Sequence, residues 1–267
     1  MSEGHVSVVK SPEKLVAHHG AAVSRAYIYA IVASPQAQTY GDFGLGGRKV
    51  YSISVGRLAA VVSDVAGGRI RPERSHLAAH QGVLKKLMAE NTPLPMSFGI
   101  IADSPQAVRS MLSRNQQALL EQLRRVAGKV ELGLRVAWDV PNIFEYFVNT
   151  HPELRVARDR FLGGHREPTQ EQKIEVGRTF ERLLNEEREA CVGRVEGVLA
   201  PHCAEMDEKK CRDEREVMNL ACLVGREAVS QFENGVFEAA KLFDNNFSFD
   251  YNGPWAPHNF VEIDLKL

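Results

Sequence analysis

The sequence lacks any apolar run near the roughly 18 residues that a membrane-spanning helix requires, so no membrane partner is expected. Cysteine is scarce. The four residues, Cys191, Cys203, Cys211 and Cys222, all fall late in the chain, and none has CxxC spacing. The first 24 residues scatter Lys10, Lys14, His18 and His19 among small residues, without the apolar stretch or cleavage site of a secretory signal. They read as a flexible tail on a soluble, intracellular chain, and a reducing compartment then makes the cysteines buried thiols. Internal repeats, low-complexity tracts and long heptad patterns are missing as well.

Catalytic signatures are equally sparse. Gly41, Gly44, Gly46 and Gly47 do not complete a dinucleotide fingerprint, because Lys49 stands where the last glycine belongs and a strand follows. A flexible inter-strand loop is the expectation there. There is no G-x-x-x-x-G-K-[ST] cradle and no G-x-S-x-G elbow. His76 and His80 sit at i and i+4, but Leu77 occupies the position of a zinc protease's general base. They read as a helix-surface pair. His202, Cys203 and Cys211 fit no zinc template. Neither a metal nor a cofactor is expected, and no catalytic residues.

What is present suits a globular protein. At 267 residues, 44% hydrophobic and 25% charged, the chain can bury a substantial core without staples. Its net charge of −1 conceals a division. Residues 25–127 carry 13 Lys/Arg against 6 Asp/Glu, or +7, whereas residues 128–267 carry 18 against 26, or −8. Opposite signs on two halves suggest a boundary near Gly128 and different partners for each half.

Patterning gives the order of elements. Tyr27–Val32 reads as a buried strand, Tyr51–Val55 and Leu58–Val62 as a hairpin, and Leu77, Val83, Leu84, Leu87 and Met88 as one helix face ended by Pro93. Leu94–Ile101 reads as a strand begun through Pro95. Ser104-Pro105 caps one long helix reaching Gly128. Val130–Val140 alternates as a strand. Helices follow, with capping boxes at Thr150-x-x-Glu153 and Thr169-x-x-Gln172. Residues 203–211 alternate poorly as an edge strand, Val217–Val224 is a buried strand, a helix follows, and Phe247–Tyr251 alternates again. The fold class is α+β in two domains: 25–127, and 128–267 in the split βαβ, ferredoxin-like order with helical insertions.

Tyr27-Ile-Tyr-Ala-Ile-Val32, Gly56-Arg-Leu-Ala-Ala-Val-Val-Ser63, His80, Pro93-Leu-Pro-Met-Ser-Phe-Gly99 and Gly253-Pro-Trp-Ala-Pro-His-Asn-Phe260 together resemble successive motifs of the gas vesicle protein F/L family. The resemblance runs from about Tyr27 to Phe260. Ser97 stands where that family usually has arginine, and Ala256, His258 and Asn259 replace Pro, Tyr and Ser. The resemblance implies an accessory, minor structural role in gas vesicle assembly. The partners would be the hydrophobic shell protein, kept from aggregating during nucleation, and other vesicle accessory proteins. The location would be the gas vesicle, and the cytoplasm before assembly. It also implies a second domain of modified ferredoxin fold and brings no catalytic residues.

Pro95, Phe98, Gly99, Gly253, Pro254, Trp255 and Phe260 are the motif positions of structural interest. Gly253 should end the last strand, Pro254 fix the exit direction, and Trp255 supply a buried apolar anchor; a direct partner contact is the alternative for Trp255. Arg69, Arg71 and Arg74 form a basic loop and the candidate partner contact. That loop lacks the interleaved aromatics of a single-strand platform, so no nucleic acid is expected. The competing function is a ferredoxin-like small-molecule-binding protein or enzyme using His76, His80 or the His202/Cys203 region.

Overall fold

The computed structural model describes residues 24–67, 69–162 and 169–262, so the expected tail, apart from Ser24, lies outside the described residues. From Arg25 to Val126 the order is β1 (Arg25–Ala33), β2 (Thr39–Asp42), β3 (Lys49–Val55), β4 (Leu58–Val65), α1 (Arg74–Glu90), β5 (Leu94–Pro95), β6 (Ile101–Ala102), α2 (Pro105–Arg114) and α3 (Gln116–Val126). From Lys129 it is β7 (Lys129–Trp138), α4 (Ile143–Thr150), α5 (Pro152–Leu162), α6 (Gln170–Leu199), β8 (Glu205–Lys209), β9 (Glu216–Gly225), α7 (Val229–Ala240) and β10 (Phe247–Trp255). The fold is α+β with two sheets, β2–β3–β4–β1–β5 with β6 also on β1, and β10–β7–β9–β8. Every recorded pairing is antiparallel.

The first sheet is buried on both faces, as its β-branched and alanine-rich strands require. Strand β1 has seven consecutive buried residues. Its pairing with β4 shifts register between Ile28 and Ala30. A bulge inserts one extra residue, so Tyr29 and Ala30 share the face toward α1 while Ile28 and Ile31 face α2 and α3. Helix α1 buries His80, Val83, Leu84, Leu87 and Met88. Leu77, expected on that stripe, is 40% exposed.

In the second sheet Val130, Leu132, Leu134, Val136 and Trp138 are buried, the period of two that one covered face demands. They share one core with Leu183, Leu184, Val195 and Leu199 of α6 and with Phe232 and Val236 of α7. Thr169 caps α6 through a complete capping box.

The halves are sewn together by side chains that cross Gly128, a turn residue at φ +71. Arg125 forms a bidentate pair with Glu205. Arg226 donates to the carbonyls of Met88 and Asn91 at the end of α1. Phe260 is 3% exposed and belongs to the same core as Ile28, Leu123, Val126, Ala221 and Leu223, residues drawn from both halves. Just before it, the buried carboxylate of Glu131 accepts from the Asn259 backbone N–H (2.8 Å) and side-chain amide (2.6 Å). Burial raises the Glu131 carboxyl above its ordinary value, and the two Asn259 donors act against that rise.

Several local expectations are corrected. Leu94–Ile101 is not one strand. It contributes two short bridges to β1, with Met96 N–H donating to the Tyr29 carbonyl between them. The long helix from Pro105 breaks at Asn115, whose buried side-chain amide donates to the Met111 carbonyl and so competes with helix continuation. Thr150 caps nothing, because it lies inside α4 and its hydroxyl donates back to the Tyr146 carbonyl. The glycine loop carries the extra strand β2 and is pinned. Leu45 N–H donates to the Tyr29 hydroxyl at 2.9 Å, and a Cβ on Gly44 would stand 2.5 Å from Ser63 Oγ. Residues 205–209 do form an edge strand, held entirely by β9. Gly253 does not end the last strand. The backbone bulges between Asn252 and Trp255, and Trp255 resumes pairing opposite Glu131.

Phe260→Ala is expected to destabilise the protein by about 3–5 kcal/mol, the usual cost of truncating a buried aromatic. Trp255→Ala should change stability by less than about 1 kcal/mol, as exposed positions do. Urea denaturation of both variants checks the contrast.

Candidate functional site

The bulge near the end of β10 determines what the Gly253–Trp255 motif does. Gly253 has φ +124, and a Cβ there would meet Leu132 Cδ2 at 2.9 Å and the Glu131 carbonyl at 3.0 Å. Only glycine lets the strand turn outward this close to β7. The following peptide to Pro254 is cis. Ala256 then drops into the core at 3% exposed, while Trp255 stays 45% exposed. The expected buried anchor is therefore corrected: the anchors are Ala256 and Phe260. Trp255 instead stands on the surface with its indole N–H donated to Asn252 Oδ1 at 2.8 Å.

Facing this segment across a groove of about 560 Å³ is the outer side of α1. Ala78, Gly82 and Ala89 keep that side shallow, Leu84 and Met88 give it an apolar floor, and Lys85 and Arg226 stand at the rim. Chemically the groove can hold an apolar segment against Trp255 and a small-residue helix face. Sequence reading found the Gly253–Trp255 motif but missed the α1 wall. The small residues opposite the buried stripe, Ala78, Gly82 and Ala89, are the signal that points to it.

Beneath α1 lies a buried polar cluster. His80 is 2% exposed, so the expected helix-surface pair with His76 is corrected. Tyr27 Oη accepts from Gly99 N–H at 3.2 Å and shares a 2.7 Å hydrogen bond with His80 Nδ1. The other ring nitrogen, Nε2, is sealed from solvent beside the Met96 backbone. Phe98 packs edge-on to both Tyr27 and His80, each at 5.9 Å between ring centroids. Pro95 is buried opposite Ala30. The Pro95–Gly99 motif thus wraps Tyr27 and His80. His76 turns the other way and its Nδ1 lies 3.0 Å from the Arg71 carbonyl, so the two imidazoles do not converge. His202 packs against Gly235 of α7. Cys191 and Cys222 are buried thiols, whereas Cys203 and Cys211 are half-buried. Among the described residues no group of three or more His, Cys, Asp or Glu side chains is placed to share a metal ion.

The basic loop is only partly a cluster. Arg69 and Arg71 line a cleft of about 470 Å³, joined by Arg48, which sequence reading did not single out. Leu45, Val65 and Ile70 form its apolar floor. Arg74 opens α1 as an exposed residue and does not line that cleft.

The structure is thus a two-sheet α+β protein with an apolar groove and a separate basic cleft on its surface. The model of the gas vesicle synthesis protein GvpL/GvpF family matches residues 25–262, and the chain belongs to that family. It is 30% identical over 245 residues to a gas vesicle protein F of Streptomyces sp. (strain CB03234), covering 88% of this chain and 99% of that one. A gas vesicle protein L of the same strain is 25% identical over 268 residues, covering 89% and 92%. The crystal structure of the gas vesicle protein GvpF from Anabaena sp. PCC7120 superposes with a TM-score of 0.80 at 25% identity, over 90% of this chain and 99% of that one. Family membership gives the chain a role in gas vesicle assembly. No helix of the described residues is long and apolar enough to cross a membrane.

The buried imidazole makes stability acid-sensitive. Burial, with a smaller contribution from nearby His258, lowers His80 from 6.5 to about 4. Above pH 6.5 the ring is neutral folded or unfolded. As pH falls from 6.5 toward 4 the unfolded chain binds the proton first, so stability is lost across that window, by at most about 3 kcal/mol. Urea denaturation at pH 7 and pH 4.5 should show a smaller loss in His80→Gln than in the unsubstituted protein. Equal losses in the two would contradict this origin.

Proposed function

We propose that this chain is an accessory, minor structural component of gas vesicle assembly that binds the hydrophobic shell protein and limits its aggregation during nucleation. The observation that carries the reading is the groove between α1 and Gly253–Ala256. Its lining is apolar and its depth comes from small residues, and a large aromatic is held at its edge rather than in the core. An exposed aromatic beside a preformed groove is the usual composition of a protein-docking site. The chain would meet the shell protein in the cytoplasm and bring it to the growing vesicle, with other vesicle accessory proteins as further partners. No catalytic residue, cofactor, nucleic acid or membrane is part of this reading.

We also read 25–127 and 128–267 as two domains, the second a split βαβ, ferredoxin-like unit with helical insertions. The neighbour order β10–β7–β9–β8 and the position of α6 and α7 in that order support it.

Gly82 offers a clean test. A Cβ added there meets nothing within 4 Å, so Gly82→Arg can start into the groove without straining α1. Replacing a helix-interior glycine should leave stability unchanged or raise it by up to about 1 kcal/mol. Co-purification of shell protein with Gly82→Arg and with Trp255→Ala should fall at least about tenfold, the loss expected of a central contact. Undiminished co-purification by both folded variants would refute the groove as the binding site.

A further inference from the structure

We propose that the basic cleft receives the exposed face of α7 from a second copy of this chain, so that copies associate head to tail. The inference is independent of the shell-binding groove, since neither surface shares a residue with it. It begins from two features that the fold does not use. Phe237, on the outer face of α7, is 65% exposed, and Leu242 just beyond the helix is 49% exposed. Glu233 lies one turn before Phe237 and Glu238 directly after it, the latter paired with Lys241 at 2.6 Å. The result is an aromatic knob with a carboxylate rim.

The cleft is the counterpart in shape and charge. Arg48, Arg69 and Arg71 stand around it, with Glu73 as the carboxylate in its lining. None of these three guanidinium groups forms an ion pair among the described residues. The floor of Leu45, Val65 and Ile70 is apolar, so the cleft suits a ligand with one apolar group and flanking anions. At about 470 Å³ it has room for a phenylalanine side chain and parts of its neighbours. Paired guanidinium–carboxylate contacts around a buried aromatic combine the orienting and the desolvated parts of a specific interface.

The identity of the partner follows from charge. Residues 25–127 carry +7 and residues 128–267 carry −8, so one chain bears both halves of the complement. The knob belongs to the acidic half and the cleft to the basic half. No residue of α7 lines the cleft of its own chain, so the match is made between copies. A contact between two different surfaces is heterologous and leaves a free knob and a free cleft at the ends, which lets association extend.

Sedimentation measured across protein concentration at low and high salt tests this. The expected result is a mass that grows with concentration at low salt and returns to monomer near 1 M salt, where the Debye length is about 3 Å. Phe237→Ala should weaken association at least about tenfold, as central aromatic contacts do. The double reversals Arg69→Glu/Arg71→Glu and Glu233→Arg/Glu238→Arg should each be monomeric alone and associate when mixed, because mixing restores opposite charges at every contact. All these positions are exposed, and circular dichroism of each variant confirms folding. A wild-type chain that stays monomeric at every concentration would overturn the proposal. So would association insensitive to Phe237→Ala, or a mixture of the two reversals that remains monomeric.

Discussion

The arrangement depends on one buried carboxylate. Glu131 sits in β7, on the face that turns away from α6 and α7, and it accepts both donors of Asn259. An ionisable group at 7% exposure costs free energy unless its acceptors are filled, so the two bonds from Asn259 are a condition of the site. Meeting that condition fixes the C-terminal segment. With Asn259 held, Phe260 enters a core drawn from both sheets, while Ala256 is buried in the neighbouring core. The core that Phe260 joins is drawn from both halves, and a second core, with Tyr29, Val83 and Leu84 from one half and Leu132, Val195 and Phe232 from the other, spans them as well.

The groove is a by-product of the same geometry. Strand β10 must reach the level of Glu131, and it does so through a bulge that only Gly253 can make this close to Leu132. The bulge throws Pro254 and Trp255 outward, toward α1. Helix α1 is positioned independently, through Val83, Leu84 and Leu87 and through His80 on Tyr27. Arg226 joins the two by capping the carbonyls of Met88 and Asn91, where the helix ends without another side-chain cap. Both walls of the groove are therefore anchored in the fold itself. Preorganised walls matter because a flexible groove would lose part of each contact to the entropy of ordering.

Much of the fold was legible in the sequence, because strands with one or both faces buried leave a period of two or an unbroken apolar run. Val130–Trp138 and Val217–Val224 announce themselves in this way. The misreadings share a physical origin. Asn115 breaks a continuous apolar stripe by a side-chain bond to Met111, and periodicity carries no record of such a bond. His80 looks like a surface histidine because its neighbours Ala79 and Gln81 are small or polar. Its burial is decided by Tyr27, 53 positions away in the chain. Thr150 and Thr169 open the same four-residue pattern, yet only Thr169 precedes a helix start, since Thr150 lies inside α4.

Trp255 is the most instructive of these. A tryptophan four residues beyond the alternating run Phe247–Tyr251 would share the face of Phe247, Phe249 and Tyr251 if the strand kept its register. The bulge removes that premise, and the anchoring passes to two less conspicuous residues, Ala256 and Phe260. Trp255 is left 45% exposed, its indole N–H held by Asn252. Under the proposed function the placement has a cause. The groove, at about 560 Å³, is sized for a few side chains rather than for a whole helix face. A contact confined to that groove would be small, as transient rather than obligate interfaces are. An assembly factor for a hydrophobic shell subunit needs that regime, since a subunit gripped as tightly as a core residue could not be handed on to the growing wall. The fold supplies strong internal burial at Phe260 and leaves weak, open burial at Trp255, five residues apart on the same strand of chain.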